Sequence, residues 1–134
     1  DGGVTWAFVG VRYLATPSTQ FLVGADYYRD EARDPMFRNE ATGWTLGWFK
    51  DWARAVSTGV TVRVAETQFE GLQGLFGEYR NDRFTTVTTN ITKRDWSFNE
   101  FVPTLSVSFF DNDSSIPFYG FTRRQVLIAV NRRL

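Results

Sequence analysis

The sequence has 134 residues, 43% of them hydrophobic, and its 15 basic and 15 acidic side chains cancel to a formal charge of zero. With neither Cys nor His it has no disulfide framework, thiolate nucleophile, imidazole base or ordinary zinc site, and its even spread of charge leaves no basic stripe for nucleic acid. No run of 18 apolar residues offers a helical membrane span, and 13 Phe, 5 Trp and 5 Tyr argue against disorder.

Period-two alternation recurs from end to end in Val, Thr, Phe, Trp and Tyr, which predicts an all-β chain. The first strand, 4–14, sets Ala7, Val9, Val11 and Tyr13 against Trp6, Phe8, Gly10 and Arg12. After a short turn at 16–19, the second opposes Phe21, Val23, Ala25 and Tyr27 to Leu22, Gly24, Asp26 and Tyr28, and a charged loop at 29–40 follows. The third places Trp44, Leu46 and Trp48 opposite Gly43, Thr45, Gly47 and Phe49, with a quick turn at 51–54.

The fourth strand gives the cleanest signal, with Val56, Thr58, Val60, Val62 and Val64 on one face and Ser57, Gly59, Thr61, Arg63 and Ala65 on the other. A long Gly-containing loop is expected at 66–81. The fifth strand carries Thr85, Val87, Thr89 and Ile91 on its more apolar side and Asn90 opposite, before a compact turn at 93–100. The sixth carries Pro103, Leu105, Val107 and Phe109, then a polar loop at 111–115. The seventh, from about 121, opposes Val126, Ile128, Val130 and Leu134 to Arg123, Gln125, Ala129, Asn131 and Arg133.

Seven strands with one apolar face and one face of Gly, Ser, Thr, Asn and Arg match the dyad repeat of an antiparallel transmembrane β-barrel. The alternation of short and long connections orients every strand, with short turns on the periplasmic side and long loops outside. The rival is a soluble β-sandwich or jelly roll, but its water-facing strands usually carry many Lys and Glu, and the only lysines here are Lys50 and Lys93. Seven is an odd number, whereas single-chain bacterial barrels have an even one, so the first and last strands need partners from elsewhere. Residues 1–134 are therefore expected to be about half of a barrel: a proteolytic piece, a separate segment or one chain of a split barrel.

The inward polar set is Arg12, Asp26, Arg63, Asn90, Arg123, Gln125, Asn131 and Arg133. As a ring, the arginines would draw an anionic segment into the lumen; paired with one another or with missing acidic groups, they would fill the interior. Tyr13, Phe21, Trp44, Trp48 and Phe109, with Trp52 and Trp96, fall near strand ends where interface aromatics gather. Arg124 and Arg132 face outward, near strand ends where lipid tolerates them. Phe69, Leu72, Leu75, Phe76 and Tyr79 make the 66–81 segment either a cargo-binding or lumen-folding loop or a strand extension above the membrane. Ile116, Phe118 and Tyr119, beside Pro117, suggest a rigid cap over the rim. Without His, and with Asp111 and Asp113 isolated on a loop, an outer-membrane hydrolase is disfavoured, and no metal or cofactor is expected.

The last third is more specific. The stretches Lys93-Arg94-Asp95-Trp96, Phe101-Val102-Pro103-Thr104-Leu105, Asp113-Ser114-Ser115-Ile116-Pro117-Phe118-Tyr119-Gly120-Phe121-Thr122-Arg123-Arg124 and Asn131-Arg132-Arg133-Leu134 resemble the C-terminal barrel of the surface lipoprotein assembly modifier (Slam) family. The match covers residues 82–134 and is merely compatible before them. Leu134 stands where that family ends in Phe, and Phe121 where Tyr is commoner; Val130 and Leu134 would form the C-terminal insertion signal. The resemblance implies the C-terminal half of a barrel of about fourteen strands in the bacterial outer membrane, preceded by a periplasmic helical-repeat domain. It implies delivery of lipoproteins or related proteins to the cell surface, with outer-membrane lipid, the missing half of the barrel and protein cargo as partners. A passive or substrate-specific porin is the alternative.

Overall fold

The computed structural model describes residues 2–96 and 101–132. Seven strands form one sheet in chain order: β1 (Val4–Thr16), β2 (Thr19–Asp30), β3 (Asn39–Trp52), β4 (Val56–Gln73), β5 (Glu78–Lys93), β6 (Phe101–Ser114) and β7 (Phe121–Arg132). Each pairs antiparallel with the next, and a single 3₁₀ turn, Pro117–Tyr119, interrupts the β6–β7 connection. The sheet is a meander with free edges at β1 and β7, which fits an open half-barrel and lacks the second layer of a sandwich among the described residues.

Register joins the separate alternations into two continuous faces. Val11, Val23, Leu46, Val62, Val87 and Phe109 make one row across six strands and reach Arg124 on β7. One step along, Gly10, Gly24, Thr45, Arg63, Thr86, Phe110 and Arg123 make a row on the opposite face. A single-residue slip anywhere would have scrambled both rows.

The apolar face is the exposed one. Val11 is 68% exposed, Leu46 59% and Ile128 73%, whereas Gly24, Gly43, Gly47 and Gly59 on the other face are buried. A contiguous apolar surface of this extent is costly in water and costs nothing in hydrocarbon. On β4 the uncharged outward run Val56, Thr58, Val60, Val62 and Val64 covers about 26 Å along the strand, which a barrel tilt would reduce to about 20 Å of depth. The Glu66–Arg83 ion pair (2.7 Å) caps this band at one end, and Lys50, 4.5 Å above the Trp52 ring, marks the other.

The inner face is packed by aromatic rings lying across glycines. A Cβ on Gly10 or Gly24 would come within 2.8 Å of the Phe8 ring, and one on Gly47 or Gly59 within 2.9 Å of Phe49. These glycines leave room for rings that fill the concave side, as tight barrels require.

The loops are shorter than the sequence suggests. The expected loop at 66–81 is almost all strand, since β4 continues to Gln73 and β5 begins at Glu78 around a turn at 74–77. Alternation persists there with inverted hydropathy: Glu66, Gln68 and Glu70 face out and Thr67 and Phe69 face in, as fits a hairpin that extends beyond the apolar band. Phe69 and Leu72 are therefore β4 residues and Tyr79 a β5 residue, and only Leu75 and Phe76 lie in a turn. The charged loop contracts to 31–38 and the polar loop at 111–115 joins β6 as far as Ser114. Part of the expected 93–100 turn lies outside the described residues.

Candidate functional site: the concave face and its outer rim

Near the β1–β2 turn end, Arg12 stands 5.9 Å above the Phe49 ring, and Asn90 accepts a 2.5 Å hydrogen bond from the Ser106 hydroxyl. Hydroxyl pairs Thr88–Ser108 (3.1 Å) and Thr92–Thr104 (2.9 Å) link β5 to β6 on the same face. Arg12, Gln20, Phe49, Gly59, Asn90 and Thr92 line a depression of about 300 Å³.

Towards the other end, Arg63 on β4 reaches over Gly43 on β3 to Asp26 on β2, with Nε donating to Oδ2 at 3.1 Å and Nη2 to both carboxylate oxygens. The Asp26 side chain is buried and that of Arg63 is half-buried. Beyond this pair a second depression, about 390 Å³, takes its walls from Trp6 on β1, Asp26, Arg63, Phe84, Asn112 and Phe121 on β7.

At the rim, Arg80 is held by Asp82 through Nε and Nη2 and lies between two rings, 4.5 Å from the Phe69 centroid and 3.8 Å from Tyr119. Asn112 donates to the Tyr119 carbonyl at 2.9 Å and to Asp82 at 3.3 Å. Phe76 completes the cluster, 5.7 Å from Phe118 and 5.8 Å from Tyr119. This cluster stands beyond the Glu66–Arg83 pair, outside the apolar band. Burial of the Asp82 carboxyl would raise its pKa, but hydrogen bonds from Arg80, Ser114 and Asn112 outweigh that and hold it below the usual aspartate value.

Among the described residues the inward polar side chains thus share one face, and the arginines lie against partners there. Arg63 is neutralised by Asp26, Arg12 stacks on Phe49, and Arg123 lies 4.5 Å above the Phe110 ring. Gln125 is exposed opposite Ser108. Asn131 pairs through its backbone with Val102, while its side chain, Arg133 and Leu134 lie outside the described residues.

Of the interface aromatics, Tyr13, Phe21 and Trp48 share one row at the Lys50 end, with Trp52 edge-on to Trp48 at 6.4 Å. Trp44 and Phe109 sit on the same outward face nearer the charged end, and Val130 is exposed on it. Among the loop residues, Phe69, Phe76, Phe118 and Tyr119 converge, while Leu72, Leu75 and Tyr79 remain exposed. Ile116 is 2% exposed and offers no surface to a partner; it anchors the connection from beneath.

Sequence reasoning missed Gln73, Arg80, Asp82 and Asn112. The signal was available: odd positions on β4 keep facing inward past Ala65, so Phe69 and its cross-strand neighbours Arg80 and Asp82 belong to the concave side.

A one-sheet meander with an exposed apolar face, a packed concave face and inward-folded rim residues has the form of an open half-barrel. The model of the surface lipoprotein assembly modifier family matches residues 1–134, and the chain belongs to that family. It is 25% identical over 132 residues to surface lipoprotein assembly modifier 1 of Haemophilus influenzae and 26% identical over 134 residues to modifier 2 of the same organism. In both comparisons 98% of this chain aligns with only 27% of the relative's length. No solved structure matches it significantly.

Proposed function

We propose that this chain is the C-terminal half of an outer-membrane barrel of about fourteen strands that delivers lipoproteins or related proteins to the bacterial surface. The observation that carries this reading is the family match along the whole chain, to relatives named for surface lipoprotein assembly. The concave face is compatible with it: among the described residues Arg63 is paired with Asp26, and Arg12 and Arg123 lie against aromatic rings. The role is one of delivery rather than chemistry, with outer-membrane lipid around the apolar face and strands from elsewhere in the protein on the β1 and β7 edges. The test is deletion of the full-length gene, scoring surface lipoproteins by protease shaving and small-solute uptake in the same cells. Loss of surface lipoprotein with unchanged uptake is expected. Unchanged display with reduced uptake, together with a large constant conductance, would assign a porin instead.

A further inference from the structure

The β6–β7 connection, residues 115–120, turns inward over the buried Ile116 side chain. Its backbone joins the β4–β5 hairpin at one point, where Ser115 N donates to the Asn81 carbonyl at 2.9 Å and Asn81 N donates to Ser115 Oγ at 2.9 Å. Ser115 Oγ also donates to the Tyr79 carbonyl at 3.1 Å, and the remaining contacts to the barrel are made through side chains, the buried Ile116 among them. Gln73, 5% exposed, divides its amide between two connections: Nε2 donates to the Met36 carbonyl at 3.0 Å, and Oε1 accepts from the Tyr119 hydroxyl at 3.4 Å. Arg80 fills the space between Phe69 and Tyr119, and Asn112 fixes the Tyr119 carbonyl.

We propose that residues 115–120 form a lid over the outer end of the concave face, held shut by a latch of Gln73 and Arg80. Three features carry this. The lid's aromatic residue packs on inward-facing side chains, so the closed position lies on the lumen side. The latch adds one neutral hydrogen bond and one cation–π stack to the packing of Phe76 on Phe118 and Tyr119, the Asn112 bond and the burial of Ile116; none of these belongs to a strand ladder, so the connection opens without breaking one. The same Gln73 amide ties in the 31–38 loop, which packs closely enough on β4 that a Cβ on Gly71 would sit 2.5 Å from Met36 N. Gln73 therefore touches both connections, while the 31–38 loop keeps its own bond from Glu70 N to the Arg38 carbonyl (3.0 Å) and the Arg38–Glu70 ion pair. The inference does not depend on what the protein delivers.

The test uses the full-length protein carrying Ile116→Cys, because that buried side chain reports lid opening. Arg80→Met and Gln73→Leu, each added to this parent, should raise the rate of maleimide labelling at least five-fold and increase conductance in planar bilayers, with heat-modifiable migration confirming a folded barrel. Arg80→Lys keeps the charge, loses the planar stack and should raise both readouts less; it serves if Arg80→Met fails to fold. Parental labelling rates in folded variants would overturn the latch. Faster labelling with unchanged conductance would overturn the lid's placement over the lumen.

Discussion

Arg63 and Asp26 are 37 residues apart in sequence and on strands that do not pair, yet their side chains meet across Gly43. The strand between them carries no side chain at that position; a Cβ there would lie 2.5 Å from Asp26 Oδ1 and 2.9 Å from Arg63 Nη2. Asp26→Asn should destabilise the full-length barrel by about 1–2 kcal/mol, less than a fully buried pair would lose because Arg63 is half-exposed. Gly43→Ala should cost a similar amount with both charges intact. Denaturant midpoints of the two single variants and the double variant test this, since one shared site predicts a double loss well below the sum of the singles.

The two faces should respond oppositely to charge. Leu46→Arg, on the exposed apolar row, places a guanidinium at mid-depth and should cost about 2–4 kcal/mol. Thr45→Arg, one residue away on the concave face, should be far milder. Heat-modifiability of the two variants in outer-membrane fractions distinguishes them, and equal loss would argue against a lipid-facing row.

The β3–β4 turn carries its own strain. Arg54 and Ala55 adopt φ values of 60° and 55°, a left-handed conformation that disfavours residues with a Cβ. Ala55→Gly should stabilise the barrel by up to about 1 kcal/mol. The accepting carbonyls of Ala55, from Arg94 N at 2.7 Å, and of Arg54, from Lys93 Nζ at 2.5 Å, are backbone groups and survive the change. A rise in the thermal midpoint of the full-length protein is the expected readout.

Asp82 gives the rim a defined acid sensitivity. Its carboxyl is held below the ordinary value of 3.8, so the stability it contributes is complete above that value and is lost as pH falls through the lower, folded one. Wild type should exceed Asp82→Asn in thermal midpoint at pH 6, and the gap should close between about pH 5 and pH 2. A gap that persists unchanged to pH 2 would mean that the carboxylate charge is not what holds Arg80.

The strand count and the order of the faces were readable, because an apolar outer face and small residues inside write alternation directly into the chain. Val56 to Val64 show this at its simplest. Above Glu66 the outer face turns polar and Phe69 turns inward, so hydropathy left a loop and a strand extension as equal readings, and the extension is the one found. The rim cluster stayed hidden for another reason. Gln73, Arg80, Asn112 and Tyr119 belong to β4, β5, β6 and the β6–β7 connection, and only the bulged register between Gln68 and Leu72 brings them together. Ile116 looked like an exposed loop residue for want of any local signal that the connection folds inward.

Cysteine-scanning accessibility along β4 in the full-length protein, in native membranes, is the most direct test of a barrel segment that leaves the bilayer at Glu66. A water-soluble maleimide should modify positions 57, 61 and 63 through the lumen and spare even positions from 56 to 64, and from 66 to 70 the even positions should become the reactive ones. Uniform reactivity from 56 to 70, or protection of the odd positions instead, would contradict the assignment of the apolar face to lipid.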